Sequence, residues 1–116
     1  MLTDEYRYKI LKQLQNDPEI SQRELAKRLD ISLGKVNFCL KALIEKGLVK
    51  AENFKNSTNK MSYLYLLTPT GLEEKVILTQ RFLQRKIKEH QILEEEIRKL
   101  RSEVDVMRQG KSRNDK

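Results

Sequence analysis

The sequence predicts a mainly α-helical domain with one small β-hairpin, followed by a long C-terminal helix. The first part of the chain contains three short segments with apolar residues at helical spacing, and two β-type runs separated by a polar turn come next. From Leu72 onward, no helix-breaking residue occurs until Gly110. We therefore expect a compact head over residues 1–68, a helix over residues 69–108 and a disordered tail over residues 109–116.

Composition and charge exclude several classes of protein. The chain has 116 residues, of which 35% are charged, and a net charge of +7. It has neither a basic, apolar leader nor a run of about 18 uncharged apolar residues, so we expect a cytoplasmic protein with no membrane segment. One cysteine cannot form an internal disulfide and is too few for a thiolate metal site. With one histidine, one cysteine and no phosphate-binding glycine motif, no catalytic arrangement is visible, so we expect no enzymatic activity, no metal and no cofactor. A small basic domain attracts polyanions, which favours nucleic acid as the partner.

The first two helices have capping signals at their starts. Thr3 stands before two acidic residues and opens a helix over about residues 4–16. Ser21 begins a capping box, and a short helix follows over about residues 22–29. The second helix and the one after it are joined by a tight turn, and this arrangement inserts the later helix of the pair into the major groove of DNA. The third helix is therefore the important one.

The third helix is the candidate recognition element. Ser32 caps its start and Gly47 is a good left-handed C-terminal cap, so the helix covers residues 32–46. Asparagine pairs bidentately with adenine, lysine reaches guanine or phosphate, and phenylalanine lies against a thymine methyl. The alternative for any one of these side chains is plain solvent exposure. The residues expected to contact bases are Ser32, Leu33, Gly34, Lys35, Asn37, Phe38 and Lys41.

A β-hairpin after the third helix is expected to form a wing. Two β-type runs flank a polar, cationic turn, and the wing itself covers residues 50–62. Thr68 and Pro69 then start the fourth helix. Residues 20–60 contain nine basic and four acidic side chains, which concentrates positive charge there. The residues expected to contact the DNA backbone are Ser21, Gln22, Arg23, Lys27, Lys50, Lys55, Asn56, Ser57, Asn59 and Lys60.

Five stretches match a known pattern, at residues 20–26, 31–32, 36–37, 40–49 and 67–71. With them the chain resembles the MarR-type winged helix-turn-helix transcriptional regulators, and most of all their small members associated with exopolysaccharide gene clusters. The resemblance implies operator binding by the third helix, contacts from the wing, and control of exopolysaccharide genes. The chain departs from the pattern of these regulators in two ways: it has no extra helix ahead of the first one, and its wing lacks the Asp-x-Arg pattern. They argue against a small-molecule effector and against an arginine in the minor groove.

The long helix has the heptad pattern of a coiled coil. From Leu72 to Met107, the residues of one stripe alternate by four and three positions, and most of them are apolar. We expect a homodimer whose two third helices bind the half-sites of an inverted-repeat operator in double-stranded DNA. The alternative is a single amphipathic helix that folds back on its own domain. The residues expected in the dimer seam are Leu83, Leu93, Ile97, Leu100 and Val104.

The competing function is a protein–protein adaptor without DNA binding. In that case the winged helix would bind another polypeptide and the coiled coil would act as a scaffold, and the fold alone does not exclude this. The cationic wing and the short polar side chains at the start of the third helix favour DNA.

Overall fold

The computed structural model describes residues 3–55 and 61–114, with only the backbone described at residues 55, 61 and 112–114. The order of its helices and strands confirms the predicted mainly α-helical fold with one hairpin and a long C-terminal helix. The chain divides into two compact units, residues 1–81 and residues 82–116, which we describe separately. The elements are α1 (Asp4–Asn16), α2 (Gln22–Leu29), α3 (Leu33–Glu45), β1 (Val49–Lys55), β2 (Met61–Leu67) and α4 (Pro69–Asn114).

The starts of α1, α2 and α3 are fixed by side-chain caps, as the sequence predicts. The hydroxyl oxygens of Thr3, Ser21 and Ser32 each accept a hydrogen bond from the backbone N–H three residues later, at 3.1–3.3 Å. These bonds satisfy donors that the first turn of a helix leaves open. At the end of α3, Gly47 has a φ of 73°, and the N–H of Leu48 bonds back to the carbonyl of Leu43 at 3.0 Å.

The core of the first unit lies where α1, α2, α3, the hairpin and the start of α4 meet. Cys39 is fully buried in it, and burial raises the pKa of its thiol. The thiolate is therefore disfavoured, and Cys39 acts as a small packing residue. The buried residues are Ile10, Leu11, Leu14, Ile20, Leu25, Ala26, Val36, Cys39, Leu40, Leu43, Leu48, Val49, Tyr65 and Leu78.

The hairpin is attached to the helices through its second strand. β1 and β2 are antiparallel, with Val49 opposite Leu67 and Ala51 opposite Tyr65. The backbone N–H of Tyr65 donates to the carbonyl of Pro18, in the loop before α2, at 3.1 Å. This bond, together with the burial of Tyr65, fixes β2 beside the start of α2.

A junction of four residues, Gly47, Leu48, Thr68 and Gly71, connects α3, the hairpin and α4. Thr68 donates from its backbone N–H to the Leu48 carbonyl at 3.1 Å and from its hydroxyl to the Gly47 carbonyl at 2.5 Å. The Thr68 hydroxyl oxygen also accepts from the N–H of Gly71 at 3.0 Å, which caps α4. A Cβ at Gly71 would stand only 2.0 Å from the Leu48 carbonyl oxygen, so only glycine fits this approach.

Gly71→Ala should therefore destabilise the first unit by about 1–3 kcal/mol, because backbone on both sides of the contact has to move. Gly110→Ala, in the same helix, is the matched control, since a Cβ there meets nothing within 4 Å. That variant should gain up to about 1 kcal/mol in helix propensity. Urea unfolding followed by circular dichroism compares the two. Equal midpoints for both variants would show that the Gly71 contact is not tight.

Charged side chains join α1 to the first turns of α4. Arg7 pairs with Asp4 and, at 3.1 Å between Nη1 and Oε1, with Glu74. Arg81 reaches Asp4 at 3.3 Å between Nη1 and Oδ2. The hydrogen bond from Arg7, helped by the charges of Arg7 and Arg81, holds the pKa of Asp4 below its usual value. Within the first unit, the start of α4 is thus bound to the head by ion pairs as well as by the buried Leu78.

A lowered carboxyl pKa adds stability above the unfolded-state pKa, and this stability is lost as pH falls through the folded-state pKa. Asp4→Asn should therefore lower the thermal midpoint at pH 7, and its difference from the wild type should shrink at a pH below about 4. Thermal unfolding at both pH values measures this. The control is Asp105→Asn, an exposed carboxylate in the second unit, which should match the wild type at pH 7. A gap between Asp4→Asn and wild type that widens in acid contradicts the assignment.

In the second unit, α4 continues to Asn114, beyond the expected end at residue 108. Residues 109–114 are therefore helical rather than disordered as expected. One glycine inside a helix costs only about 1 kcal/mol, and Lys111 suits the negative end of the helix dipole, so Gly110 does not stop the helix. Among the described residues, no helix combines the length and the apolar character that crossing a bilayer requires.

Candidate nucleic-acid interface

α3 presents one buried face and one outward face. Val36, Leu40 and Leu43 are buried with at most 2% of their surface exposed. These residues fix the orientation of the helix, so the opposite face is held in a defined position. Of the predicted base-contact residues, those that are exposed are Ser32, Leu33, Gly34, Phe38 and Lys41, and those that are partly buried are Lys35 and Asn37.

The two capping serines, Ser21 and Ser32, are already engaged by the backbone. Each hydroxyl oxygen accepts a hydrogen bond within its own helix start, which leaves the O–H as a donor. Both helix starts carry the positive end of a helix dipole, which attracts phosphate. These serines therefore suit a backbone contact better than the reading of a base edge.

Lys35 is held differently from Lys41. The Lys35 ammonium lies 4.0 Å from the centroid of the Tyr6 ring on α1, which is a cation–π contact. Lys41 is exposed farther along the same helix. The sequence grouped the two lysines as equivalent base contacts, whereas the structure leaves Lys41 exposed and places the Lys35 ammonium against Tyr6 of α1. Nothing in the spacing of Tyr6 indicated this, because that residue is typical of an apolar helix position.

Asn37 is part of a hydrogen-bonded chain of side chains. Its Nδ2 donates to Oε1 of Gln22 at 3.3 Å, and Nε2 of Gln22 donates to the hydroxyl of Tyr65 at 3.1 Å. Tyr65 in turn stacks on Tyr63, with ring centroids 6.1 Å apart. Sequence reasoning did not include either tyrosine. Their alternation along β2 was the available signal, since residues two apart in a strand share a face.

The predicted backbone contacts are only partly described. Arg23 and Lys27 are exposed on α2. Lys50 is exposed on β1, with Nζ 2.9 Å from Oε1 of Glu52, and this hydrogen bond raises the pKa of the lysine. The predicted wing contacts Asn56, Ser57, Asn59 and Lys60, and the side chain of Lys55, lie outside the described residues. The predicted cationic contacts to the DNA backbone whose side chains the structure describes therefore lie on α2 and β1.

The described residues contain no group of three or more His, Cys, Asp or Glu side chains placed to hold a metal ion. What they do contain is a helix–turn–helix followed directly by a two-stranded wing. This arrangement defines the class of winged helix-turn-helix domains. A family model described as winged helix-turn-helix DNA-binding matches residues 3–50, which confirms that class.

Solved structures of similar fold refine the comparison. A PadR-like transcriptional regulator from Bacillus cereus is 20% identical with a TM-score of 0.71, over 80% of this chain and 95% of that chain. A MarR/EmrR family transcriptional regulator from Acinetobacter is 22% identical with a TM-score of 0.57, over 85% and 74%. A Staphylococcus aureus MarR in complex with salicylate and kanamycin is 26% identical with a TM-score of 0.51, over 72% and 56%.

These neighbours share the winged-helix fold of this chain, and they confirm the predicted resemblance to MarR-type regulators while adding PadR-like ones. The Bacillus cereus and Acinetobacter proteins are both described as transcriptional regulators. Among curated protein sequences, none matches the chain significantly.

Proposed function

We propose that this chain is a cytoplasmic transcriptional regulator that binds double-stranded DNA as a homodimer, with α3 in the major groove and the wing on the backbone or minor groove. The observation that supports this most directly is the outward face of α3, which joins Asn37 and Lys41 on one side of a helix whose other side is buried. Helices held in this way are the usual readers of base edges.

The dimensions of α3 suit this role. Its 13 residues extend about 20 Å at 1.5 Å per residue, and a major groove about 12 Å wide admits an α-helix. Gly34 near its start has open space around it, so the helix backbone itself can approach the groove closely. The N-cap at Ser32 keeps that first turn regular.

The described charges also favour a polyanion at this face. Arg23, Lys27 and Lys41 are exposed on α2 and α3. By contrast, the acidic Asp4 and Glu74 are held by Arg7 where α1 meets α4. Positive charge therefore remains available on the helix-turn-helix, where it can displace counterions from DNA phosphates.

The homodimer is supported by apolar side chains on α4. In the second unit, Leu83, Leu93 and Ile97 are 57%, 52% and 41% exposed, and Leu100 and Val104 are similarly open. A helix with such a row in water lowers its free energy by pairing with another helix. In the first unit, Leu72 and Val76 line a shallow groove beside the end of α1, so the exposed row begins there.

Pairing two heads increases specificity. One recognition helix rarely distinguishes its site from the many competing sequences of a genome, whereas two heads related by symmetry bind two half-sites about one helical turn apart. The operator should therefore be an inverted repeat. The absence of a small-molecule effector and the control of exopolysaccharide genes both stay predictions from the resemblance to MarR-type regulators.

Binding to a duplex library with a randomised centre of about 20 base pairs, two helical turns, tests the proposal. The logarithm of the affinity should fall linearly with the logarithm of salt concentration, as phosphate contacts require. Asn37→Ala should cost about 1–3 kcal/mol on the selected sequence and little on random duplexes. Lys55→Ala, the control in the wing, should weaken every duplex alike and reduce the salt slope by about 1.

A protein–protein adaptor is the second candidate, favoured by two apolar side chains on the outward face of α3, Leu33 at 43% and Phe38 at 56% exposure. If the wild-type chain binds no duplex, or binds with no dependence on salt, the adaptor is the better description. Equal losses on selected and random DNA for Asn37→Ala would instead retain DNA binding but remove base reading from this residue.

The dimer seam has its own test. Replacing Ile97 and Leu100 by Asp should convert the dimer into monomers that keep a folded head, because paired helices would bury unpaired charges. The matched control replaces Ile92 and Val106 by Asp. These are also exposed apolar residues of the same helix, but they lie outside the stripe of four and three spacing. Light scattering gives the mass of each variant, and binding to a full and a half operator gives the consequence.

Dissociation by the control pair, with the seam pair still dimeric, would mean that a different face of α4 forms the interface. A chain that ends at Lys88 separates the two halves of the stripe. If that chain stays dimeric and binds the full operator as tightly as before, the apolar face before Lys88 carries dimerisation alone.

A further inference from the structure

Three side chains from three separate elements form one hydrogen-bonded relay. Asn37 lies on α3, Gln22 begins α2, and Tyr65 lies on the wing strand β2. The relay runs from Nδ2 of Asn37 to Oε1 of Gln22 at 3.3 Å, and from Nε2 of Gln22 to the hydroxyl of Tyr65 at 3.1 Å. It connects the outward face of the recognition helix to the wing.

The Tyr65 end of the relay is anchored. Its side chain is only 6% exposed, and its backbone N–H donates to the carbonyl of Pro18 at 3.1 Å. On the strand, its ring stacks on Tyr63. Because Tyr65 is fixed by packing and backbone, its hydroxyl offers Gln22 a partner at a constant position.

The amide of Gln22 is oriented from both ends. Its nitrogen donates to the Tyr65 hydroxyl and its oxygen accepts from Asn37, and a bond at each atom restricts the rotation of the side chain. With its nitrogen on Tyr65, the oxygen of Gln22 faces Asn37 and binds the nitrogen of that side chain. Asn37 then keeps its oxygen and its second N–H for a partner outside the relay.

That remaining pair of groups has a defined complement. Adenine presents a donor at N6 and an acceptor at N7 in the major groove, and an asparagine amide satisfies both at once. A side chain that is already oriented loses less conformational freedom on binding than a mobile one. The relay therefore favours one base at one position of each half-site.

We propose that Gln22 is a positioning residue that holds Asn37 in the orientation that selects adenine, with Tyr65 as the anchor. The inference rests on the proposed function, since it requires α3 to read duplex DNA. It replaces the expected role of Gln22 as a backbone contact. A phosphate contact would act on every sequence equally, whereas a positioning residue acts through Asn37 on a single base pair.

The test uses the full chain and the same randomised duplex library, sequenced after selection, with Tyr65→Phe and Gln22→Met as variants. Tyr65→Phe removes one oxygen from a buried side chain, and Gln22→Met keeps the length of the side chain without its amide. Each removes hydrogen bonds of modest net strength, so the preference for adenine at the Asn37 position should fall about 2- to 10-fold. Preferences at the other positions should stay unchanged.

Two controls separate positioning from folding. Tyr63→Phe, on the same strand but outside the relay, should leave every preference unchanged, and thermal unfolding of each variant shows whether the head is intact. In an Asn37→Ala background, Gln22→Met should have no further effect, because the residue through which it acts is gone. That coupling is the readout that a structural role would not produce.

The outcomes are distinct. If Gln22→Met weakens all duplexes alike, and still does so in the Asn37→Ala background, Gln22 is a phosphate contact and the inference is wrong. If wild type selects a sequence and Tyr65→Phe and Gln22→Met select it with the same preferences, only the inference fails. If the wild-type chain selects no sequence, the proposed function fails and the inference with it.

Discussion

The close approach of Gly71 to the carbonyl of Leu48 determines how the parts of the first unit fit together. Leu48 follows the cap that ends α3, and Gly71 lies in the first turn of α4, so one contact relates α3 to the start of α4. Thr68 completes it with hydrogen bonds to the backbone of Gly47 and Leu48. Since the hairpin leaves and returns at this same place, its base is fixed as well. Any side chain at position 71 would separate these elements.

The division of α3 into two faces follows from that arrangement. One face contributes four buried residues, including Cys39, to the core of the head. Their burial holds the helix, and the outward face therefore keeps its geometry without any partner. The relay through Gln22 extends the same principle to a side chain, because Asn37 is oriented by an anchor on the wing strand rather than by its own helix. Lys35 shows the opposite case, since Tyr6 draws its charge toward α1.

Most of the fold follows from local signals that the sequence contains. The caps at Thr3, Ser21 and Ser32 depend on single residues at fixed spacing, and the apolar period distinguishes helix from strand. The end of α4 was harder to predict, because one glycine inside a strong helix is a weak stop. Of the candidate interface, the outward face of α3 was predictable from periodicity, whereas the hydrogen bond between Gln22 and Tyr65 and the contact of Tyr6 with Lys35 were not.

The sequence by itself determined the elements, their order and the class of fold, since caps, turns and periodicity act between residues that are neighbours along the chain. The tertiary structure decided which polar side chains meet. Residues 22, 37 and 65 are far apart in the sequence, and residues 48 and 71 are separated by the whole hairpin. No local pattern encodes such pairs, because their distance depends on how the elements pack. For the same reason, only the packed head shows that position 71 has no room for a side chain.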